Sequence, residues 1–147
     1  MGRRRSAESV ARLPDGGETA VAVAGLAGAL TDDLSPGDVV VASQVRTEDG
    51  ATIPCSSGPL MAALDRMGVR ATVGPILTSN TLAGGERRRA MASTGAIAVD
   101  MESAWLAGAA GGRPLAVLRV IVDTPGRELR RPLATVIGGL AGLRALR

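Results

Sequence analysis

Pro114-Leu115-Ala116-Val117-Leu118-Arg119-Val120-Ile121-Val122 is the strongest strand signal in the chain: β-branched and aliphatic residues broken by one charge, closed by Asp123-Thr124-Pro125-Gly126. Working outward, the same kind of apolar segment recurs at 19–24, 39–42, 71–77 and 96–99, each bounded by Gly- or Pro-bearing turns. The segment 19–24 is almost continuously apolar, the pattern of a strand buried on both faces. Helix-compatible stretches fall between or beside these strands, at 3–13, 58–67, 86–94 and 100–110, the last stopped by Gly111-Gly112. Residues 25–30 are expected to form a glycine-rich turn and 47–54 a loop. In the predicted helix at 100–110, Met101, Ala104, Trp105 and Ala109 face inward. The alternation predicts one α/β domain over residues 1–129, with 130–147 an Arg-rich helical tail of the same domain. Within that tail 132–146 is helix-compatible, although Gly138, Gly139 and Gly142 each weaken a helix by about 1 kcal/mol relative to Ala.

Composition narrows the chemistry. At 147 residues and 46% apolar content the chain can bury a core without disulfides or structural metal. Trp105 is the sole aromatic residue, so a ligand that needs a stacking platform finds almost none. Histidine and lysine are both absent and all 17 cations are arginine. A Ser-His-Asp triad, a Cys-His dyad, a His-ligated metal, a Lys Schiff base and a Walker-type phosphate loop each lack an obligatory residue. What remains is carboxylates, arginines, hydroxyls, backbone amides and one thiol, Cys55. A single cysteine is compatible with a reducing cytoplasm. A net charge of +3 with no rings interleaved among the arginines argues against specific nucleic-acid binding. No apolar run reaches membrane-spanning length, and Arg3-Arg4-Arg5 leads into Ser6-Ala7-Glu8 rather than a signal core. A cytoplasmic location follows as the expectation.

Two acidic sites stand at strand ends, where α/β sheets bind ligands. Asp123 ends the decisive strand. A carboxylate emerging from a buried strand is partly desolvated and suits a general acid near neutral pH; the competing reading is an Asp that caps the following turn. Asp100-Met101-Glu102 forms the second site. Glu102 in the first turn of a helix is favoured by the helix dipole, and the functional alternative is a carboxylate gripping the vicinal hydroxyls of a ribose. Gly25 and Gly28 offer backbone amides for close approach to sugar or phosphate. Arg3-Arg4-Arg5 and Arg87-Arg88-Arg89 are most simply solvated faces, with phosphate contact the minority reading. Cys55, in Pro54-Cys55-Ser56-Ser57-Gly58, has no histidine to activate it.

Four blocks in one order carry a family resemblance: Gly25-Leu26-Ala27-Gly28-Ala29, Pro36-Gly37-Asp38-Val39-Val40-Val41-Ala42, Ala98-Val99-Asp100-Met101-Glu102-Ser103 and Leu118-Arg119-Val120-Ile121-Val122-Asp123. Together they resemble the purine and uridine phosphorylase superfamily, which includes the methylthioadenosine/S-adenosylhomocysteine nucleosidases. The Val-Asp-Met-Glu-Ser form looks most like the hopanoid-associated phosphorylase branch.

The resemblance implies a mixed central sheet flanked by helices and cleavage of the N-glycosidic bond of an adenosine-type nucleoside. Phosphate would be the co-substrate, with neither metal nor organic cofactor, and a homo-oligomer the assembly. It assigns Asp123 to the departing base, Glu102 to the ribose hydroxyls and Met101 to the sugar face. Gly25, Gly28 and Asn80 complete the substrate-binding set. The chain departs from the family pattern at several points. The strand and loop that open that pattern have no counterpart, Leu26 replaces a phosphate-binding hydroxyl, Val122 replaces the serine before the aspartate, and no aromatic residue lies in 78–83. Three other functions stay open: a hydrolytic nucleosidase, a non-catalytic nucleoside-binding module or inactive shortened paralogue, and a peripheral membrane contact through Arg130, Arg131, Arg144 and Arg147.

Overall fold

The computed structural model describes residues 20–127. The predicted helix at 3–13 and the tail at 130–147, including Arg130, Arg131, Arg144 and Arg147 of the membrane-contact alternative, lie outside those residues. In chain order the elements are β1 (Val21–Ala29), β2 (Val39–Thr47), β3 (Thr52–Pro54), α1 (Ser57–Arg66), β4 (Ala71–Thr78), α2 (Gly85–Ala92), β5 (Ala98–Asp100), α3 (Ser103–Ala107), a 3-10 turn (Gly108–Ala110) and β6 (Leu115–Asp123).

The sheet runs β3-β2-β4-β5-β1-β6 and then joins its own ends, because β2 also pairs with β6 through Val39↔Val120, Val40↔Arg119 and Val41↔Leu118. The strands β2, β4, β5, β1 and β6 thus form a closed ring. β2 serves two neighbours on one side: residues 39–41 hold β6, and residues 44–46 hold β3. The β2–β4 ladder shifts between Ala42 and Val45, where β2 changes partner, as a bulge does at a sheet corner. β1 and β6 are parallel to each other, as are β2, β4 and β5; the two groups meet antiparallel. The sheet is therefore mixed.

Side chains alternate across a strand with a period of two, and β6 buries Leu115, Val117, Arg119, Ile121 and Asp123 while the residues between them are half-buried. Val23, Ala27, Val40, Ala42, Val45, Ile76, Ala98, Val117 and Ile121 belong to the main core. They are small or β-branched, as a narrow ring of strands requires. A second cluster of Leu30, Leu77, Met91, Ala96 and Val99 seats α2 against the sheet.

The structure corrects several expectations. The chain does not turn at 25–30, because β1 continues through Gly25 and Gly28 to Ala29, pairing with β6 along its length. Nor is β1 buried on both faces, since Ala22 and Ala24 are exposed. The loop at 47–54 contains a hairpin: β3 folds back on β2 around Gly50, whose φ of +89° a residue with a side chain rarely adopts. The helix expected from residue 100 starts at Ser103 and tightens into the 3-10 turn at Gly108. Its buried side chains are Ser103 and Ala107, whereas Met101, Ala104 and Trp105 are half-buried. It ends where the glycines require, with Gly111 left-handed at φ +54°.

Candidate functional site

Asp123 closes β6 on its buried face. It is 8% exposed, and its Oδ2 accepts a hydrogen bond from Arg88 Nη2 at 2.8 Å. Arg88 comes from α2, 3% exposed, one helical step before Met91 of the second core cluster. Its guanidinium fork also donates to Ala29 O (Nη1, 2.7 Å) and twice to Ala83 O (Nε 3.1 Å, Nη2 3.0 Å). One cation thereby ties together the end of β1, the loop leading into α2 and the Asp123 carboxylate. The sequence pictured Arg87-Arg88-Arg89 as a solvated face, and for Arg88 that is corrected. A helix whose other faces are polar turns one residue of such a run inward, and here the inward residue is a cation because an acid waits for it. Asp123 is likewise not a lone acid at a strand end.

The second acidic site is built around Asp100. Its Oδ2 pairs with Arg119 Nε at 2.7 Å, both side chains being 1% exposed. Its Oδ1 accepts from Thr78 Oγ1 (2.8 Å) and from the amides of Glu102 and Ser103 (both 3.2 Å). Ser103 Oγ donates to Asp100 Oδ2 and in turn accepts from Arg119 Nε and Nη2. Thr78 Oγ1 also accepts from the Ala104 amide at 3.0 Å. Asp100 is thus a structural anchor that satisfies the start of α3, where amides otherwise lack partners. Glu102 sits at the N-cap, with φ −141° and ψ −31°, instead of inside the first turn. It and Met101 are half-buried. Among the described residues its backbone amide is held by Asp100, and none donates to its carboxylate.

Gly25 and Gly28 lie on β1 between these two ion pairs. Gly25 faces Arg119 across the ladder, and a Cβ there would collide with Arg119 Nη1. Gly28 faces Asp123, and a Cβ there would collide with Asp123 Oδ1 and stand 3.0 Å from Arg88 Nη2. The missing side chains at both positions therefore make room for buried charge.

Asn80 stands exposed in the loop after β4. Glu48, at the β2–β3 turn, accepts from the Asn80 amide (Oε2, 3.2 Å), from Ser79 Oγ (Oε1, 3.3 Å) and from Arg87 Nη2 (Oε1, 2.5 Å). Ser79 is fully buried and its amide donates to Asp100 O at 2.8 Å. The loop is held by Glu48 where it leaves β4 and by Arg88 where it enters α2. The sequence missed Arg88, Arg119 and Glu48 because each takes its partner from a distant element; only the inward parity of Arg119 along β6 was readable.

Cys55 is half-buried, and desolvation pushes its thiol above the usual cysteine range despite a backbone hydrogen bond from Val45. Among the described residues no group of three or more His, Cys, Asp or Glu side chains stands together for a metal ion. No described helix is long and apolar enough to cross a membrane.

A closed mixed ring of strands carrying a paired carboxylate at the end of β6, with a second acidic segment capping the helix after β5, two strands away across β1, defines a single α/β domain. Comparison with known families makes this specific: the chain belongs to the phosphorylase superfamily, whose pattern matches residues 4–136. Among solved structures it is similar to a futalosine hydrolase mutant of Helicobacter pylori, at 24% identity and TM-score 0.74, covering 87% of this chain and 68% of that one. It is similar to the 5′-methylthioadenosine/S-adenosylhomocysteine nucleosidase of the same organism, in complex with a pyrrolopyrimidine-bearing pyrrolidinol, at 26% identity and TM-score 0.71, covering 84% and 63%. The S-adenosylhomocysteine nucleosidase of Streptococcus pyogenes, in complex with 5-methylthiotubericidin, matches at 27% identity and TM-score 0.69, covering 86% and 65%. The chain spans about two thirds of the length of these structures. Comparison with curated protein sequences finds no match.

Proposed function

We propose that this chain forms the base side and sugar side of a site that cleaves the N-glycosidic bond of an adenosine-type purine nucleoside. The observation that carries the reading is the buried Asp123 carboxylate, held by Arg88 beside the loop 79–84, in a chain of this superfamily. As the bond between C1′ and the purine nitrogen breaks, its electron pair leaves with the base. In its protonated form Asp123 donates a hydrogen bond, or the proton itself, to the purine ring nitrogen that gains this charge, and the carboxylate left behind stays paired with Arg88. The sugar is left with oxocarbenium character, and Glu102 holds its two hydroxyls while Met101 packs on its face. Asn80 lines the base side. Gly25 and Gly28 leave the β1 backbone bare, so that it can approach sugar or phosphate closely.

Phosphate oxygen captures C1′ in the phosphorolytic form of the reaction; in the hydrolytic form water does so and gives up a proton. The solved relatives named above are hydrolases and nucleosidases, and the Val-Asp-Met-Glu-Ser form supports an adenosine with a hopanoid substituent, cleaved by phosphorolysis. Adenine release from 5′-methylthioadenosine and adenosine, with and without phosphate, separates these forms. Phosphate-dependent release lost in Asp123→Asn is the result expected for a phosphorylase, and phosphate-independent release makes the chain a nucleosidase. Binding of adenosine by a folded protein with no release under either condition overturns the catalytic reading and leaves a nucleoside-binding module.

A further inference from the structure

We propose that Arg88 is a positioning residue for Asp123, coupling the base-side loop to the group that meets the departing purine. The inference rests on the reading of Asp123 given above. Three geometric facts carry it. Arg88 is almost fully buried although it belongs to a helix whose neighbouring arginines, Arg87 and Arg89, are exposed. Its Nη2 bridges two groups from different parts of the fold, Asp123 Oδ2 at 2.8 Å and Ala83 O at 3.0 Å, so the loop end and the carboxylate share one nitrogen. Its Nη1 is fixed on Ala29 O at the end of β1, one residue beyond Gly28, where a side chain would strike Asp123 Oδ1 and crowd Arg88 Nη2.

A planar guanidinium with donors in fixed directions holds three acceptors at once; an ammonium is a point charge that does not reproduce that fork. Arg88 therefore sets the direction in which the Asp123 carboxylate faces and keeps it there when the loop 79–84 takes up a base. A cation serving only to neutralise a buried acid would also have its donors satisfied by backbone carbonyls, so turnover and not the bond list separates the two roles. Such a cation would affect folding without separating turnover from substrate affinity.

The test compares wild type, Arg88→Met, Arg88→Lys and Asp123→Asn, each confirmed folded by circular dichroism, using adenine release from 5′-methylthioadenosine. Arg88→Met is expected to lower kcat about 100-fold, the scale of a displaced acid–base group, with KM within about threefold. Guanidinium added at millimolar concentration restores part of that loss, and Arg88→Lys falls between the Met variant and wild type. A folded Arg88→Met with wild-type kcat, or one in which only KM rises, overturns the proposal while leaving Asp123 in place. If Arg88→Met does not fold, Arg88→Lys decides: reduced kcat at unchanged KM supports the proposal, and wild-type kcat overturns it. Full activity in Asp123→Asn, or no release by the wild type, refutes the site reading itself and this inference with it.

Discussion

Replacing Gly28 by alanine tests whether β1 is bare at that position because of the Asp123 carboxylate. Gly28 does not have a positive φ, so its backbone accepts alanine without strain. In a strand interior alanine would otherwise gain about 0.5–1 kcal/mol over glycine. The cost comes from the collision with Asp123 Oδ1 and the tight approach to Arg88 Nη2. Asp123 has a short side chain with little freedom, so relieving the collision means swinging the carboxylate off Arg88. Overpacking of this kind costs about 1–3 kcal/mol, and loosening a buried hydrogen bond between charged groups costs about 1.5–3 kcal/mol. The net destabilisation is then about 2–5 kcal/mol, which at a urea slope of about 2 kcal/mol/M lowers the unfolding midpoint by about 1–2.5 M.

Urea unfolding of Gly28→Ala should be measured in wild type and in an Arg88→Met/Asp123→Ala background, where both charged groups are gone. In that background the same substitution should be neutral or stabilising by up to about 1 kcal/mol, and the difference between backgrounds isolates the coupling. Equal cost in the two backgrounds, or a near-neutral effect in wild type, refutes the argument that buried charge excludes a side chain here.

Asp100→Asn strands the fully buried Arg119 cation and should destabilise the fold by about 3–5 kcal/mol in the same assay, more than any change at the exposed Arg87–Glu48 pair. The raised pKa of Cys55 has two consequences, read by iodoacetamide alkylation and by unfolding against pH. Alkylation in the native state should be slower than for a free thiol at neutral pH. Because the folded state prefers the protonated thiol, its contribution to stability is complete below the unfolded thiol's pKa and is lost as pH rises through the folded value, so Cys55→Ser should flatten stability on the alkaline side.

The sheet was largely legible in the sequence because its strands are dense in valine, isoleucine and leucine between turn residues, and β6 has little choice of face. Asp123 and Glu102 stand out as candidates because strand ends and helix starts are visible in sequence. The ring closure was not legible, since the same valines at 39–41 serve either an open or a closed sheet. The continuation of β1 past Gly25 was missed because glycine reads as a turn until the facing arginine and aspartate are known. Arg88 was missed for a related reason: three consecutive arginines give no sign of which one turns inward, and its partner stands on another element. Buried charge, in short, is written in pairs that only the fold brings together.

On β6 the two inward charges, Arg119 and Asp123, are four residues apart, while the notches that admit them on β1, Gly25 and Gly28, are three apart. The ladder reconciles the two spacings by pairing Ala27 with Ile121 and Gly28 with Asp123, leaving Val122 without an opposite number. The strands work as a lock with unequally cut teeth. Sliding β6 by one residue would turn both charges out of the core, and sliding it by two would drive Arg119 against the methyl of Val23 or Ala27. An unbroken apolar pair of strands would tolerate such slippage. Here the irregular step that looks like a flaw in the ladder is what leaves the chain a single way to zip up.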